Sequence, residues 1–314
     1  MVALQELKMY RNFDELASDV LELAKEILPD KLIYLTSFSE NQQIILKMSD
    51  GNTKILLSEG QVIPIHETVC NRIDFEKRQP LVFPDISKDT CPVDLRTIMK
   101  EAKIHSYLGI PIALLNGENF GTLCVAHHEV SEFDDKSIAL LQKIARMFSY
   151  YLDLERVAFK DSLTNLYNRH YLSKHFEDYS KNGGMIFFLD LDGFKKVNDV
   201  HGHDVGDRVL KEVAAKLHQF VENEKECFAV RLGGDEFIVH FSHITSEEEM
   251  KNRAEKVLGV LSEWESGFPL STSIGIAHYS PNSTISLHDV LKRADNALYL
   301  AKAAGKNRYQ VACL

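Results

Sequence analysis

Apolar residues recur at helical spacing near the start of the chain. Phe13, Leu16, Val20, Leu23 and Ile27 form one row and Ala17, Leu21, Ala24 and Leu28 a second, which predicts a helix over 13–28 with two apolar stripes. From residue 31 the period shortens. The runs KLIYLTSF, QQIILKM, TKILLS, PLVFPD, SYLGIPIALL and FGTLCVAHH are separated by turn signals such as Asp50-Gly51 and Asn116-Gly117, the pattern of strands joined by tight connections. The expectation is an antiparallel sheet opened by one helix and closed by another.

The closing helix is read from about Ser131 to Phe159. Ile138, Leu141, Ala145, Phe148 and Leu152 alternate at spacings of three and four, and Leu140, Ile144, Met147, Tyr151, Leu154 and Ala158 make a second row beside them. Two readings are open: a helix buried on both sides, or one stripe facing its own domain and the other pairing with a second copy as a short coiled coil. The expectation is the dimer, with the Leu141 and Phe148 row as its seam.

Beyond Asp161 the polar residues become dense and unusually placed. MIFFLDLDGF (185–194) is a buried strand by its apolar run, yet it ends in Asp190 and Asp192. Burying a carboxylate without compensation is costly, so a pair at a strand end faces solvent or a cation. CFAVRLGGDEFIVHF (227–241) reads as a hairpin whose turn, Gly233-Gly234, is followed by Asp235-Glu236. Acids from separate strands can converge on a hard cation, because Mg²⁺ takes one or two carboxylates and completes its octahedron with water and substrate phosphates.

Length and charge narrow the picture. A chain of 314 residues suggests two domains. Thirty-six Lys and Arg against 46 Asp and Glu give a net charge of −10, which offers no long-range attraction to nucleic acid or an anionic membrane, so any bound phosphate must be held by a few local cations. No apolar run approaches the ~18 residues of a membrane span, and MVALQELKMYRNFDEL lacks the order of a signal peptide. The expected location is the cytoplasm. Five scattered cysteines (Cys70, Cys91, Cys124, Cys227, Cys313) include no Cys-x-x-Cys pair and are read as buried or idle thiols. His127-His128 at a strand end is read as a surface pair.

Four blocks in order, DSLTNLYNR (161–169), DLDGFKKVNDVHGHDVGD (190–207), RLGGDEF (231–237) and ADNALYLAKAAGKN (294–307), resemble the GGDEF family of diguanylate cyclases, which condense two GTP into cyclic di-GMP and two pyrophosphates. The resemblance implies a palm-like nucleotidyl-cyclase α/β domain. It implies Asp190, Asp235, Glu236 and the main-chain carbonyl of Leu191 as ligands of Mg²⁺ (or Mn²⁺). Glu236 and Lys195 are implied as the catalytic groups, with Glu236 open between proton acceptor and metal ligand. Asn198, His203 and Asp207 match the guanine pocket; an Asp there can accept the N1–H and 2-amino hydrogen bonds that adenine does not offer. Lys195, Lys302 and Lys306, with the backbone N–H groups of Gly193 and Phe194, match the phosphate contacts. One block departs: an Arg-x-x-Asp product-feedback site normally precedes the signature, and Glu224-Lys225-Glu226-Cys227 stands there instead.

The first half, by its helix–strands–helix order together with SYLGIPI, FGTLC and SEFDDKSIALLQKIA, resembles a GAF domain, which implies a sensor with an unidentified small-molecule ligand. The expected fold is α+β: a GAF domain at 1–155, with an antiparallel sheet flanked by helices, joined by a long helix to a GGDEF domain at 156–314. The expected function is a homodimeric, GAF-regulated diguanylate cyclase with GTP as substrate and no nucleic-acid or membrane partner. The rival is a degenerate GGDEF domain that binds nucleotide as a receptor without turnover.

Overall fold

The computed structural model describes residues 13–39, 41–49, 54–88, 91–222, 227–243, 246–262, 264 and 270–312, and the chain divides into two compact units, Met1–Arg156 and Val157–Leu314. No helix among the described residues is long and apolar enough to cross a membrane.

In the first unit, helix α1 (Phe13–Ile27) is followed by β1 (Leu32–Phe38), β2 (Gln42–Met48), β3 (Val62–Pro64), two single helical turns (Ile65–Glu67 and Val69–Arg72), β4 (Leu81–Phe83), α2 (Val93–Glu101), β5 (Ser106–Ala113) and β6 (Asn119–His127). Helix α3 (Asp135–Phe159) closes it, its last turn lying past the division. The strands pair antiparallel in the order β3-β2-β1-β6-β5-β4. Alternation along these strands gives the sheet two faces. One is covered by α1 and α3, where Phe13, Phe120 and Phe148 meet with ring centroids 5.9–6.4 Å apart. The other carries Tyr34, Ile45, Tyr107 and Cys124 against Cys70, Leu95 and Met99.

Two expectations are corrected here. TKILLS forms no strand over its described residues 54–58: Ile55 is buried and the Leu56 N–H is spent on the carbonyl of Ala102 at the end of α2, so the segment caps a helix. The other concerns the seam on α3. Leu141, Ala145, Phe148 and Leu152 are fully buried within their own unit, whereas Leu140 is 37% exposed, Met147 70% and Leu154 69%. Those three stand seven residues apart, and Ile144, Tyr151 and Ala158 interleave with them at a and d spacing. The stripe open to a partner is therefore the second row.

The second unit runs β7 (Tyr167–Asn168), α4 (Arg169–Ser180), β8 (Gly184–Asp192), α5 (Phe194–His201), α6 (His203–Glu222), β9 (Cys227–Gly233), β10 (Glu236–Ser242), α7 (Glu247–Val260), β11 (Ser271–Tyr279), α8 (Leu287–Ala303) and β12 (Tyr309–Val311). Strand order is β12-β11-β8-β10-β9-β7. The apolar run of β8 sits at the centre, antiparallel to β10 and β11, with its Phe187 and Leu189 in a core shared with Val213 and Leu217 of α6 and Val257 of α7. Helix α8 lies directly on β11: a Cβ at Gly275 would come within 2.0 Å of the Ala294 carbonyl and 2.3 Å of the Leu298 nitrogen. Only glycine permits that approach, and it seats the helix that ends in Lys302.

The burial difference along α3 makes a direct prediction. Phe148→Ala should cost the first unit about 3–5 kcal/mol, and Met147→Ala less than about 0.5 kcal/mol, read from denaturant unfolding of the full chain. Equal costs would contradict the assignment of the two stripes.

Candidate active site

The register of three strands gathers the acids. Asp190 stands opposite Glu236 across β8 and β10, and opposite Ser273 across β8 and β11. Asp235 occupies the β9–β10 turn, where Gly233 and Gly234 take φ of 151° and 54°, values that favour glycine. Arg231 fixes this turn. Its Nε and Nη2 donate to the Gly234 carbonyl at 3.1 and 3.0 Å, and its Nη1 donates to Asp161 Oδ1 at 2.9 Å. Asp161 Oδ1 also accepts from the backbone N–H and hydroxyl of Thr164 at 2.9 and 2.6 Å, so the segment that opens the unit holds the turn that carries the acid.

A cavity of about 450 Å³ lies at this end of the sheet. It is lined by Asp190 and Leu191 from β8, Asp235 from the turn, Gly193, Phe194 and Lys195 at the start of α5, Lys302 from the last turn of α8 and Lys306 from the turn that follows it. Gly193 adopts φ 88°, reversing the chain between strand and helix. Lys302 Nζ donates to Asp190 Oδ2 at 2.7 Å. Burial, then the neighbouring Asp190, raises the Asp235 carboxyl above its ordinary range. Burial raises Glu236 as well, followed by the charges of Asp190, Asp235 and Asp295. Three carboxylates are thus crowded at one end of the sheet, with Lys302 paired to Asp190.

The three residues expected at a base pocket stand apart from this cavity. Asn198 is on α5, and His203 and Asp207 are exposed on the first turns of α6. Asn198 packs over Gly206, where a Cβ would come within 1.9 Å of its Oδ1. Glu224, Lys225 and Glu226 lie outside the described residues, and Cys227 opens β9 as a buried thiol.

Residues 158–308 match the family model described as diguanylate cyclase, GGDEF domain, and residues 12–152 match the GAF domain. The chain is 26% identical to the diguanylate cyclase DgcP of Escherichia coli, over 95% of its own length and 92% of that protein. It is 33% identical to the diguanylate cyclase DgcS of Shewanella oneidensis over 55% of its own length and 58% of that protein. Among solved structures it resembles the GGDEF domain of DgcB from Caulobacter crescentus in complex with c-di-GMP, at 30% identity, covering 49% of this chain and 93% of that one, with a TM-score of 0.43. The chain belongs to the GGDEF family.

In this GGDEF domain the two acids of the DLD block part company. Asp192 is buried, and its carboxylate accepts from Ser271 Oγ at 2.8 Å, from Ser273 Oγ at 2.9 and 3.0 Å, and from the Asn307 N–H at 3.2 Å. It binds β11 and the 305–307 turn together and so fixes where Lys306 stands. Sequence reading noticed Asp192 without giving it this role; the alternating Ser271 and Ser273 were the available signal, since period-two hydroxyls on a strand share one face.

The donor set suits a hard divalent cation. No group of three or more His, Cys, Asp or Glu among the described residues would enclose a metal alone, but Mg²⁺ needs only one or two carboxylates beside water and phosphate oxygens. Burial and the charge of Asp190 raise the cost of ionising Asp235, and Lys302 already places a positive charge on Asp190.

A pH dependence follows. In the unfolded chain the Asp235 and Glu236 carboxyls titrate at their ordinary values, and in the fold both are raised, so the folded state retains protons to higher pH. That contribution to stability is complete below the ordinary carboxylate range and is lost as pH climbs through the raised values. Without divalent cation, Asp235→Asn should match the wild type in Tm at low pH and exceed it increasingly toward neutrality; Mg²⁺ should erase the advantage. A difference independent of pH would contradict the charge crowding.

Proposed function

We propose that this chain is an active diguanylate cyclase built as a GAF sensor at 1–155 and a GGDEF domain at 156–314, condensing two GTP into cyclic di-GMP and two pyrophosphates. The observation that supports it most is the joining of Asp190, Asp235, Lys195, Lys302 and Lys306 around one cavity, with Glu236 beside Asp190. A domain relieved of catalysis has no reason to keep crowded, mutually repelling acids.

Each GGDEF domain takes one GTP. Lys195, Lys302 and Lys306 neutralise its phosphates, and the N–H groups of Gly193 and Phe194 add donors at the start of α5. Asp190, Asp235 and the Leu191 carbonyl would hold Mg²⁺, with Glu236 completing the set, and the ion would supply charge neutralisation at the α-phosphate and the leaving pyrophosphate. Glu236 accepts the proton from the 3′-hydroxyl; the oxygen forms a bond to the α-phosphorus of the facing GTP, the α–β bridge breaks and pyrophosphate departs. Asn198, His203 and Asp207 receive guanine, Asp207 accepting from its N1–H and 2-amino groups. With Glu224 and Cys227 where an Arg-x-x-Asp fork is expected, product feedback at that position is weak.

Two such sites must face each other, since each nucleotide attacks the other. The open stripe of α3, Leu140, Met147 and Leu154, supplies the seam between two copies. The GAF unit holds this helix through Asp153 Oδ2, which accepts the Leu115 N–H at 2.9 Å, and through the Arg156 Nη1 to Glu118 Oε2 ion pair at 2.6 Å. Both partners sit on the β5–β6 hairpin, so a ligand that shifts the hairpin biases the helix pair.

Purified protein with Mg²⁺ should convert GTP, and not ATP, to the cyclic dinucleotide, and Glu236→Gln should lower turnover by at least about a hundredfold with the fold intact. Met147→Glu with Leu154→Glu should give monomers that bind GTP and turn it over poorly. Tight GTP binding with no product from the wild type would favour the receptor reading, and a fully active monomer would defeat the dimer.

A further inference from the structure

The GAF unit contains a cavity of about 650 Å³ between its sheet, the turns at 65–72, α2 and residues 56–57, within the range of small-molecule sites. Most of its wall is apolar, including Ile45, Leu57, Ile63, Val69, Ile98 and Met99. Such a wall favours a compact apolar body but does not by itself say what else the ligand carries.

Two polar observations do. Gln43 lines the cavity from β2 and is 3% exposed. Its amide reaches the Cys70 thiol, while its Oε1 is buried with no hydrogen-bond partner. A buried acceptor left unpaired is destabilising, and an N–H or O–H donor on a ligand would relieve it. Three other polar groups of the wall are engaged within the protein: Gln61 Oε1 accepts from the Ser58 N–H, Thr68 Oγ1 donates to the Ile65 carbonyl, and the Tyr107 hydroxyl contacts Cys70 Sγ at 3.0 Å. The second observation is charge. Among the described residues no Lys, Arg or His lines the cavity, whereas Glu67 and Glu101 do, both exposed toward solvent. An anion entering would shed hydration, find no cation and meet two carboxylates.

We propose that this cavity binds an uncharged or cationic small molecule with an apolar, aromatic-sized body and one N–H or O–H donor accepted by Gln43 Oε1, and that it rejects phosphate-bearing nucleotides. The assignment deepens the reading of this unit as the sensor and rests on it for its regulatory meaning. Gln43 is the specificity residue: its Oε1 is a buried acceptor with no partner in the protein, whereas the carboxylates of the wall, Glu67 and Glu101, are exposed to solvent.

Calorimetry on the full chain without GTP tests the ligand class, using indole, 1-methylindole, tryptamine, indole-3-acetate and cyclic AMP as probes. Indole and tryptamine should bind, 1-methylindole about five- to tenfold more weakly for want of the donor, and the two anions not measurably. Gln43→Leu should bring indole down to the affinity of 1-methylindole while leaving Tm unchanged or higher, since the variant loses an unpaired buried acceptor. Equal binding of indole and 1-methylindole, binding of cyclic AMP or indole-3-acetate as tight as indole, or failure of indole and tryptamine at millimolar concentration would overturn the proposal. Indole binding that left GTP turnover unaltered would instead contradict the sensor reading, with the ligand class standing.

Discussion

The second unit is organised around a repulsion. Antiparallel pairing of β8 with β10 puts Asp190 opposite Glu236, and the turn before β10 adds Asp235. Register is set by the buried faces of these strands, so the acids cannot separate without turning Phe187, Leu189, Phe237 and Val239 out of the core. The fold therefore holds carboxylates together at a cost that hydrophobic burial offsets, and positive charge is what relieves it. Lys302 answers part of that demand from α8.

The devices that serve this arrangement are ordinary packing features. Gly275 lets α8 lie on β11 closely enough to deliver Lys302 to Asp190. Asp192, two residues along the same face, ties the 305–307 turn to β11 through two serine hydroxyls and a backbone N–H. Arg231 spans from the Gly234 carbonyl to Asp161, so the geometry of the acidic turn depends on where the chain enters the unit. On this account a displacement of the entering segment reaches the acids through a single guanidinium.

Much of this was legible in the sequence. Long apolar runs ending in acids marked β8 and the β9–β10 hairpin, because nothing but a strand end accommodates that sequence; the two-domain α+β organisation and the four GGDEF blocks followed. Three things were not. TKILLS has strand composition, but Leu56 gives its N–H to Ala102, a partner forty-odd residues away that local pattern cannot name. The two stripes of α3 are equally apolar, and only the aromatic cluster of Phe13, Phe120 and Phe148 decides which one turns inward. The division of labour between Asp190 and Asp192 depended on Ser271 and Ser273, about eighty residues on. In each case the missing information was a tertiary contact.

The central claim is that the crowded carboxylates of β8 and the β9–β10 turn exist to hold a divalent cation against a nucleotide's phosphates. Anomalous diffraction from crystals grown with Mn²⁺ and a non-hydrolysable GTP analogue tests it most directly. The account predicts a manganese peak bound by Asp190 and Asp235, with Lys302 moved from Asp190 onto a phosphate. Nucleotide bound in the cavity with the Lys302 to Asp190 pair intact and no metal between the acids would contradict it.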